Sequence, residues 1–212
     1  MKSKYFSEFL GTGFLFCTVV GSGIMGQNLS SNDSLTLLAN TLATVFALYF
    51  LITIFGDHSS HFNPVVSMVM LVRKEISTQV CTIFIILQIS GAILGVMLAN
   101  YIFELDPVYF SEKPRSGTHL FVSEMLATFG LLMVILLSSK EKVAVTVAAY
   151  IGAAYWFTSS TSFANPAGTI GRSFSNTFAG ISTNDILHFC VAQIIGAFLA
   201  LITYRTFFES QK

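Results

Sequence analysis

Six runs of apolar residues, each close to the length of a bilayer crossing, constrain this chain more than any other feature of its sequence. A membrane-spanning helix needs roughly 20 mostly apolar residues. The runs are Phe6–Met25, Leu35–Phe55, Ser77–Phe103, His119–Leu137, Val143–Thr158 and Ile186–Phe208, the fifth being the shortest. Over 212 residues only 10% are charged, whereas a soluble domain carries about a quarter. Such a chain cannot clothe a water-facing surface. Lipid leaves no water to satisfy exposed backbone groups, so the runs must be helices. The expected class is an all-α membrane protein.

The first run has no small-residue cleavage site after it and reads as a retained helix. With the N-terminus cytoplasmic, Lys2, Lys4, Arg73, Lys74, Lys140, Lys142, Arg205 and Lys212 fall inside, and Lys113, Arg115 and Arg172 outside. That bias follows the positive-inside rule. It implies a multi-pass protein of the cell inner (plasma) membrane with both termini cytoplasmic and the lipid bilayer as its first partner. Cys17, Cys81 and Cys190 all lie in apolar runs, where a thiol acts as a small hydrophobe, so no disulfide or zinc framework is expected. A formal net charge of zero leaves no basic footprint for nucleic acid.

Three signatures recur in the same order in two halves of the chain. Glu8-Phe-Leu-Gly-Thr-Gly is matched by Glu124-Met-Leu-Ala-Thr-Phe, His61-Phe-Asn63-Pro64-Val65 by Phe163-Ala-Asn165-Pro166-Ala167, and Gln88-Ile-Ser-Gly91-Ala92 by Gln193-Ile-Ile-Gly196-Ala197. The halves are approximately 1–105 and 118–212, joined by an extracellular loop 106–117 within one channel domain. Three helices per half oblige the second half to enter the membrane from the opposite side. An inverted repeat of this kind places its site at the midplane and implies transport.

Each Asn-Pro opens a stretch too short to cross, Val65–Val72 and Ala167–Phe174. Asn is a favoured N-cap and Pro a favoured first helical residue, so Asn63-Pro64 and Asn165-Pro166 are helix starts. Helix starts at that depth are tolerated only where protein buries them or they line a watery cavity. Two re-entrant half-helices should therefore meet at a pore, bringing two positive helix ends to one lumen.

Taken together, these motifs resemble the aquaporin and aquaglyceroporin family, the major intrinsic proteins, over nearly the whole chain. The resemblance implies six transmembrane helices plus two half-helices, and a homotetramer with a pore in each protomer. It implies passage of water and small neutral solutes, with Asn63 and Asn165 donating hydrogen bonds at the centre and His61 on the cytoplasmic pore wall. Selectivity of this type comes from pore diameter, lining donors and half-helix dipoles that repel protons. Glu8 and Glu124, ionisable groups in apolar helices, are implied to be buried supports for the half-helices. No cofactor is implied. His61 with Asp57 and His58 is not expected to form a metal site.

The chain also departs from the family pattern. Water-selective members follow the second Asn-Pro-Ala with Arg, and here Gly168 stands in its place. The first motif carries Val65 in place of Ala. By family spacing the other filter positions are Ala153, Ser162 and either Ala43 or Thr44. Such small residues imply a wide filter, open to glycerol-like polyols or to neutral metalloid acids such as arsenous acid, because a similar loss of the Arg marks bacterial channels linked to arsenic resistance. Arg172, four residues after Gly168, lies on the same helical face about 6 Å further out. It either guards the outer mouth, snorkelling back toward the filter, or caps the half-helix and pairs with loop carbonyls.

Two other readings share these features. An ion-coupled secondary transporter also uses inverted repeats and broken helices, but the spans hold few further acidic residues to bind an ion or relay protons. A poorly conducting structural member of the fold would need no open pore. An enzyme is the least expected reading, for want of a nucleophile with an adjacent base, a metal cluster or a phosphate loop.

Overall fold

The structure is a computed structural model that describes residues 2–209; Lys212, assigned above to the cytoplasmic side, lies outside the described residues. Among the described residues eight α-helices follow one another: α1 Lys2–Leu29, α2 Asp33–Phe55, α3 Pro64–Val72, α4 Thr78–Ile102, α5 Thr118–Leu137, α6 Val143–Phe157, α7 Pro166–Arg172 and α8 Ile186–Phe207. Five of them are long and apolar enough to cross a membrane. Helix α6 has 15 residues, about 22 Å at 1.5 Å per residue. It corresponds to the short fifth apolar run and is followed by an irregular segment leading to α7.

Helices α1 and α4 pack along most of their length, as do α5 and α8, while α2 and α6 join the two halves. Small residues set the close pairs. A Cβ on Gly91 would sit 2.4 Å from the Phe9 carbonyl oxygen, and one on Gly196 would sit 2.2 Å from that of Met125. The repeated Gln-x-x-Gly therefore marks the same backbone approach in both halves. Large apolar side chains such as Phe46, Phe50, Leu126 and Ile202 are exposed around the outside. The core lies between the helices, and the half-helices α3 and α7 meet inside it.

The connection from α4 to α5 is laced onto the segment after α7. Backbone N–H of Tyr109 donates to the Phe174 carbonyl at 3.2 Å, that of Ser111 to Ser173 at 2.8 Å, and that of Ser182 to Lys113 at 2.7 Å. The Asn100 amide adds bonds to the Pro107 and Phe174 carbonyls at 3.1 and 2.9 Å. These bonds fix the loop carrying Lys113 and Arg115 over one end of the bundle.

Candidate functional site: a lumen between two half-helices

Both half-helices begin as Asn-Pro should. Asn63 and Asn165 are N-caps in extended conformation with Pro at the first helical position. The Asn63 Oδ1 accepts from the Val65 N–H at 3.1 Å, and the Asn165 Oδ1 from those of Ala167 and Gly168 at 3.0 and 3.3 Å. With its oxygen so engaged, each side chain presents its NH2 group away from its own helix. Asn63 Nδ2 donates to the Ala164 carbonyl at 2.8 Å, and Asn165 Nδ2 to the Phe62 carbonyl at 2.8 Å. An amide nitrogen has two N–H donors, so one on each remains for a molecule in the lumen.

Phe62 and Ala164 hold φ of 49° and 47°, a left-handed conformation that costs a bulky residue about 1–3 kcal/mol unless its surroundings impose it. Two carboxylates impose it. Glu8, wholly buried, accepts from Ser59 Oγ at 2.5 Å, the His61 N–H at 2.7 Å, the Phe62 N–H at 2.8 Å and Gln88 Nε2 at 2.7 Å. Glu124, also wholly buried, accepts from the N–H groups of Phe163 and Ala164 at 2.8 and 2.9 Å and from Gln193 Nε2 at 2.7 Å. Gln88 and Gln193 reach on to Ser67 and Thr169 in the half-helices at 3.0 and 2.9 Å. Each buried carboxylate is thus satisfied by donors, as burial demands, and ties a loop, a half-helix and a spanning helix together.

A cavity of about 920 Å³, open ends included, runs between the halves, lined at its centre by Asn63 and Asn165. Toward the Glu8 end its wall includes Ser60, His61 and Met70, with His61 Nδ1 3.0 Å from Ser67 Oγ. Toward the far end it includes Phe16, Thr44, Tyr155, Ser162, Phe163 and Arg172. Apolar side chains such as Leu48, Val66 and Leu131 make up much of the rest, so polar groups are concentrated at the centre and the ends of the cavity.

The filter positions counted from spacing fall variously. Ser162 and Thr44 line the cavity, and Thr44 Oγ1 lies 3.2 Å from Tyr155 Oη. Ala43 is only half-buried and is off the wall; Ala153 is exposed on the outer face of α6, and Tyr155 and Ile151 line the lumen from that helix. The register of α6 accounts for this: Ile151 and Tyr155 share a face, and Ala153 points about 200° away from Ile151 at 100° per residue. Gly168 does not line the cavity. A Cβ there would lie 2.1 Å from Phe16 Cζ, so the ring of Phe16 packs directly on it.

Arg172 lies on the cavity wall and also pairs with a loop carbonyl. Nε donates to the Ala179 carbonyl at 2.5 Å, and the guanidinium lies 3.3 Å from the centroid of the Phe163 ring, on the cavity wall and only 4% exposed. Two more cations gather beside it. Lys113 Nζ donates to the Phe178 carbonyl at 2.8 Å, and Arg115 Nε to that of Gly180 at 2.8 Å. Three successive carbonyls, 178 to 180, thus hold three cations, and among the described residues none of the three makes a side-chain ion pair. Burial pushes the Arg115 guanidinium down to about 10. Burial, helped by Arg115 and Arg172, pushes the Lys113 amine down to about 8. No group of three metal-ligating side chains occurs among the described residues, and Asp57 instead pairs with Lys140 at 3.1 Å on the surface.

Residues 1–157 match the family model described as Major intrinsic protein. Over 203 residues the chain is 46% identical to Aquaglyceroporin AqpS of Rhizobium meliloti (strain 1021), covering 94% of this chain and 87% of that protein. It is 31% identical over 220 residues to Glycerol uptake facilitator protein-like 6 of Lactiplantibacillus plantarum, covering 95% and 96%. The X-ray structure of the aquaglyceroporin from Plasmodium falciparum superposes with a TM-score of 0.74 at 17% identity, over 99% of this chain and 98% of that one.

Proposed function

Since the chain belongs to the major intrinsic protein family, whose members are membrane channels for water and small neutral solutes and not enzymes, we propose that its own pore is the cavity between α3 and α7 and that it passes solutes broader than water. The observation that carries this reading is the pair of Asn amides on the cavity wall, each with one N–H unclaimed by protein. A file of water or a small hydroxylated solute would exchange its hydrogen bonds for those donors, while an ion would lose its hydration among apolar walls. The two positive helix ends at the same point add a barrier to protons and cations.

Glycerol-like polyols and neutral metalloid acids such as arsenous acid are the proposed cargo, supported by the likeness to an aquaglyceroporin and a glycerol facilitator-like protein. A homotetramer in the inner membrane, both termini cytoplasmic and Arg172 outward, completes the proposal. Asn63, Asn165, His61, Thr44 and Ser162 are its lumen residues, with Glu8 and Glu124 holding the loops. Stopped-flow light scattering on proteoliposomes tests it. Shrinkage under an impermeant osmolyte followed by re-swelling under glycerol or arsenous acid, both faster than in empty vesicles, is the expected result. Fast shrinkage with no re-swelling would leave a water-only pore and overturn the broad cargo.

A further inference from the structure

The connection that follows α4 carries three successive large apolar side chains that the described residues leave largely uncovered. Val108, Tyr109 and Phe110 are 45%, 41% and 55% exposed. Such a run on a water-facing loop is a liability unless it meets a partner. Charge is kept away from it: Glu104 and Asp106 stand before it and Glu112 after it, all exposed, with none from 107 to 111.

The segment does not rise away from the bundle. The Asn100 carbonyl accepts from the N–H groups of Phe103 and Leu105 at 3.1 and 3.0 Å, and Glu104, at a φ of 61°, turns the chain back between them. Asn100, wholly buried in the last turn of α4, commits its whole side chain to the returning segments. Its Nδ2 donates to the Pro107 and Phe174 carbonyls at 3.1 and 2.9 Å, and its Oδ1 accepts from Ser175 Oγ at 2.7 Å. Pro107 is thereby brought back to the level of Asn100, about 3 Å short of the helix end at Ile102 at 1.5 Å per residue.

Other side chains mark what surrounds the protein at that level. Leu94, Leu98, Tyr101 and Ile102 form one exposed apolar stripe along α4, at helical spacing. Trp156 and Phe157 are exposed in the last turn of α6. That turn lies at the same end of the bundle, since Arg115 in the connection donates to the Ser160 carbonyl at 3.2 Å. Tyr and Trp gathered at one level are the mark of a membrane interface, where an aromatic body sits in lipid and its polar tip stays wet.

We infer that Val108, Tyr109 and Phe110 are seated in the bilayer interface, so that this connection is a lipid anchor for the end of α7. The partner is the boundary between phospholipid headgroups and acyl chains in the leaflet at that end of the bundle. Phe110 stacks on Phe174 with ring centroids 5.0 Å apart, and the Tyr109 and Ser111 N–H groups donate to the Phe174 and Ser173 carbonyls just past α7. Lipid that holds the three side chains therefore also fixes the depth at which α7 ends, beside Arg172 on the cavity wall. The inference does not depend on what the pore conducts.

The test sets one indole in the connection of the full chain. In a Trp156→Phe background, Phe110→Trp and Glu112→Trp are reconstituted into phosphatidylcholine vesicles with or without bromine on the upper acyl chain, and each is titrated with iodide on both faces. Wild type, whose one tryptophan is Trp156, calibrates the signal of an indole at the rim of α6. Phe110→Trp should emit at shorter wavelength than Glu112→Trp, lose emission in brominated lipid and resist iodide, while Glu112→Trp should do the reverse. Val108→Trp is expected to behave as Phe110→Trp and carries the test should the latter fail to fold. Iodide quenching equal to that of Glu112→Trp, with no loss in brominated lipid, would place the segment in water and overturn the inference. Protection from both quenchers would overturn it equally, by showing that protein, such as a second copy of the chain, covers the patch.

Discussion

Asn63 and Asn165 are bound crosswise, each donating at 2.8 Å to the carbonyl that precedes the other, at Ala164 and Phe62. The two half-helices therefore share one junction, and neither cap can shift without dragging the opposite loop. Asn165→Asp replaces that donor by an acceptor facing the Phe62 carbonyl and sets a negative charge in the lumen. Water flux is expected to fall and cation leak to rise, read as K⁺ efflux from vesicles. Unchanged exclusion would mean that the junction is not the barrier.

Glu124 supplies the second half of the same construction. Glu124→Gln turns one acceptor oxygen into a donor facing N–H groups that have no other acceptor. The expected loss is about 2–4 kcal/mol, the range for an unsatisfied buried donor plus a lost charged bond. It should appear as earlier thermal unfolding in detergent, with Glu8→Gln behaving alike. A midpoint within error of wild type would show the carboxylate to be dispensable.

The contact between Phe16 and Gly168 is tested by a cycle. Gly168→Ala forces a methyl into the ring and should cost about 1–3 kcal/mol, as overpacking does. Adding Phe16→Ala should recover much of that loss, so the two changes are non-additive in a thermal melt. Additive losses would show that the ring yields freely.

Much of this was legible in the sequence, and the rest was hidden for physical reasons. Asn63-Pro64 and Asn165-Pro166 signal their caps locally, and Glu8 and Glu124 stand out because a carboxylate in an apolar helix must find donors. Which face of α2 or α6 meets the lumen was not legible. A membrane helix is apolar all round, so Thr44 against Ala43, or Tyr155 against Ala153, cannot be told apart by periodicity. Phe16 reads as one more lipid or core residue until Gly168 is seen beneath it. Lys113 and Arg115 are distant in sequence from Arg172, yet all three converge on carbonyls of an irregular loop that no pattern marks.

Lys113 makes stability depend on pH in a known direction. Its amine is held at about 8 in the folded protein, against an ordinary 10.5, so between these values the unfolded chain binds more protons and stability rises with pH. The wild-type unfolding midpoint should therefore climb from pH 8 to 9.5 more than that of Lys113→Met. Parallel curves for the two proteins would contradict the assigned shift. Half-exposure makes the effect small and sensitive to salt.

The most direct test of a passive pore is the dependence of glycerol influx on glycerol concentration in proteoliposomes, with and without an imposed proton or sodium gradient. An open lumen with unclaimed Asn donors requires a rate that grows linearly with concentration and ignores both gradients. Influx that saturates and follows either ion would instead identify a coupled transporter and contradict the channel.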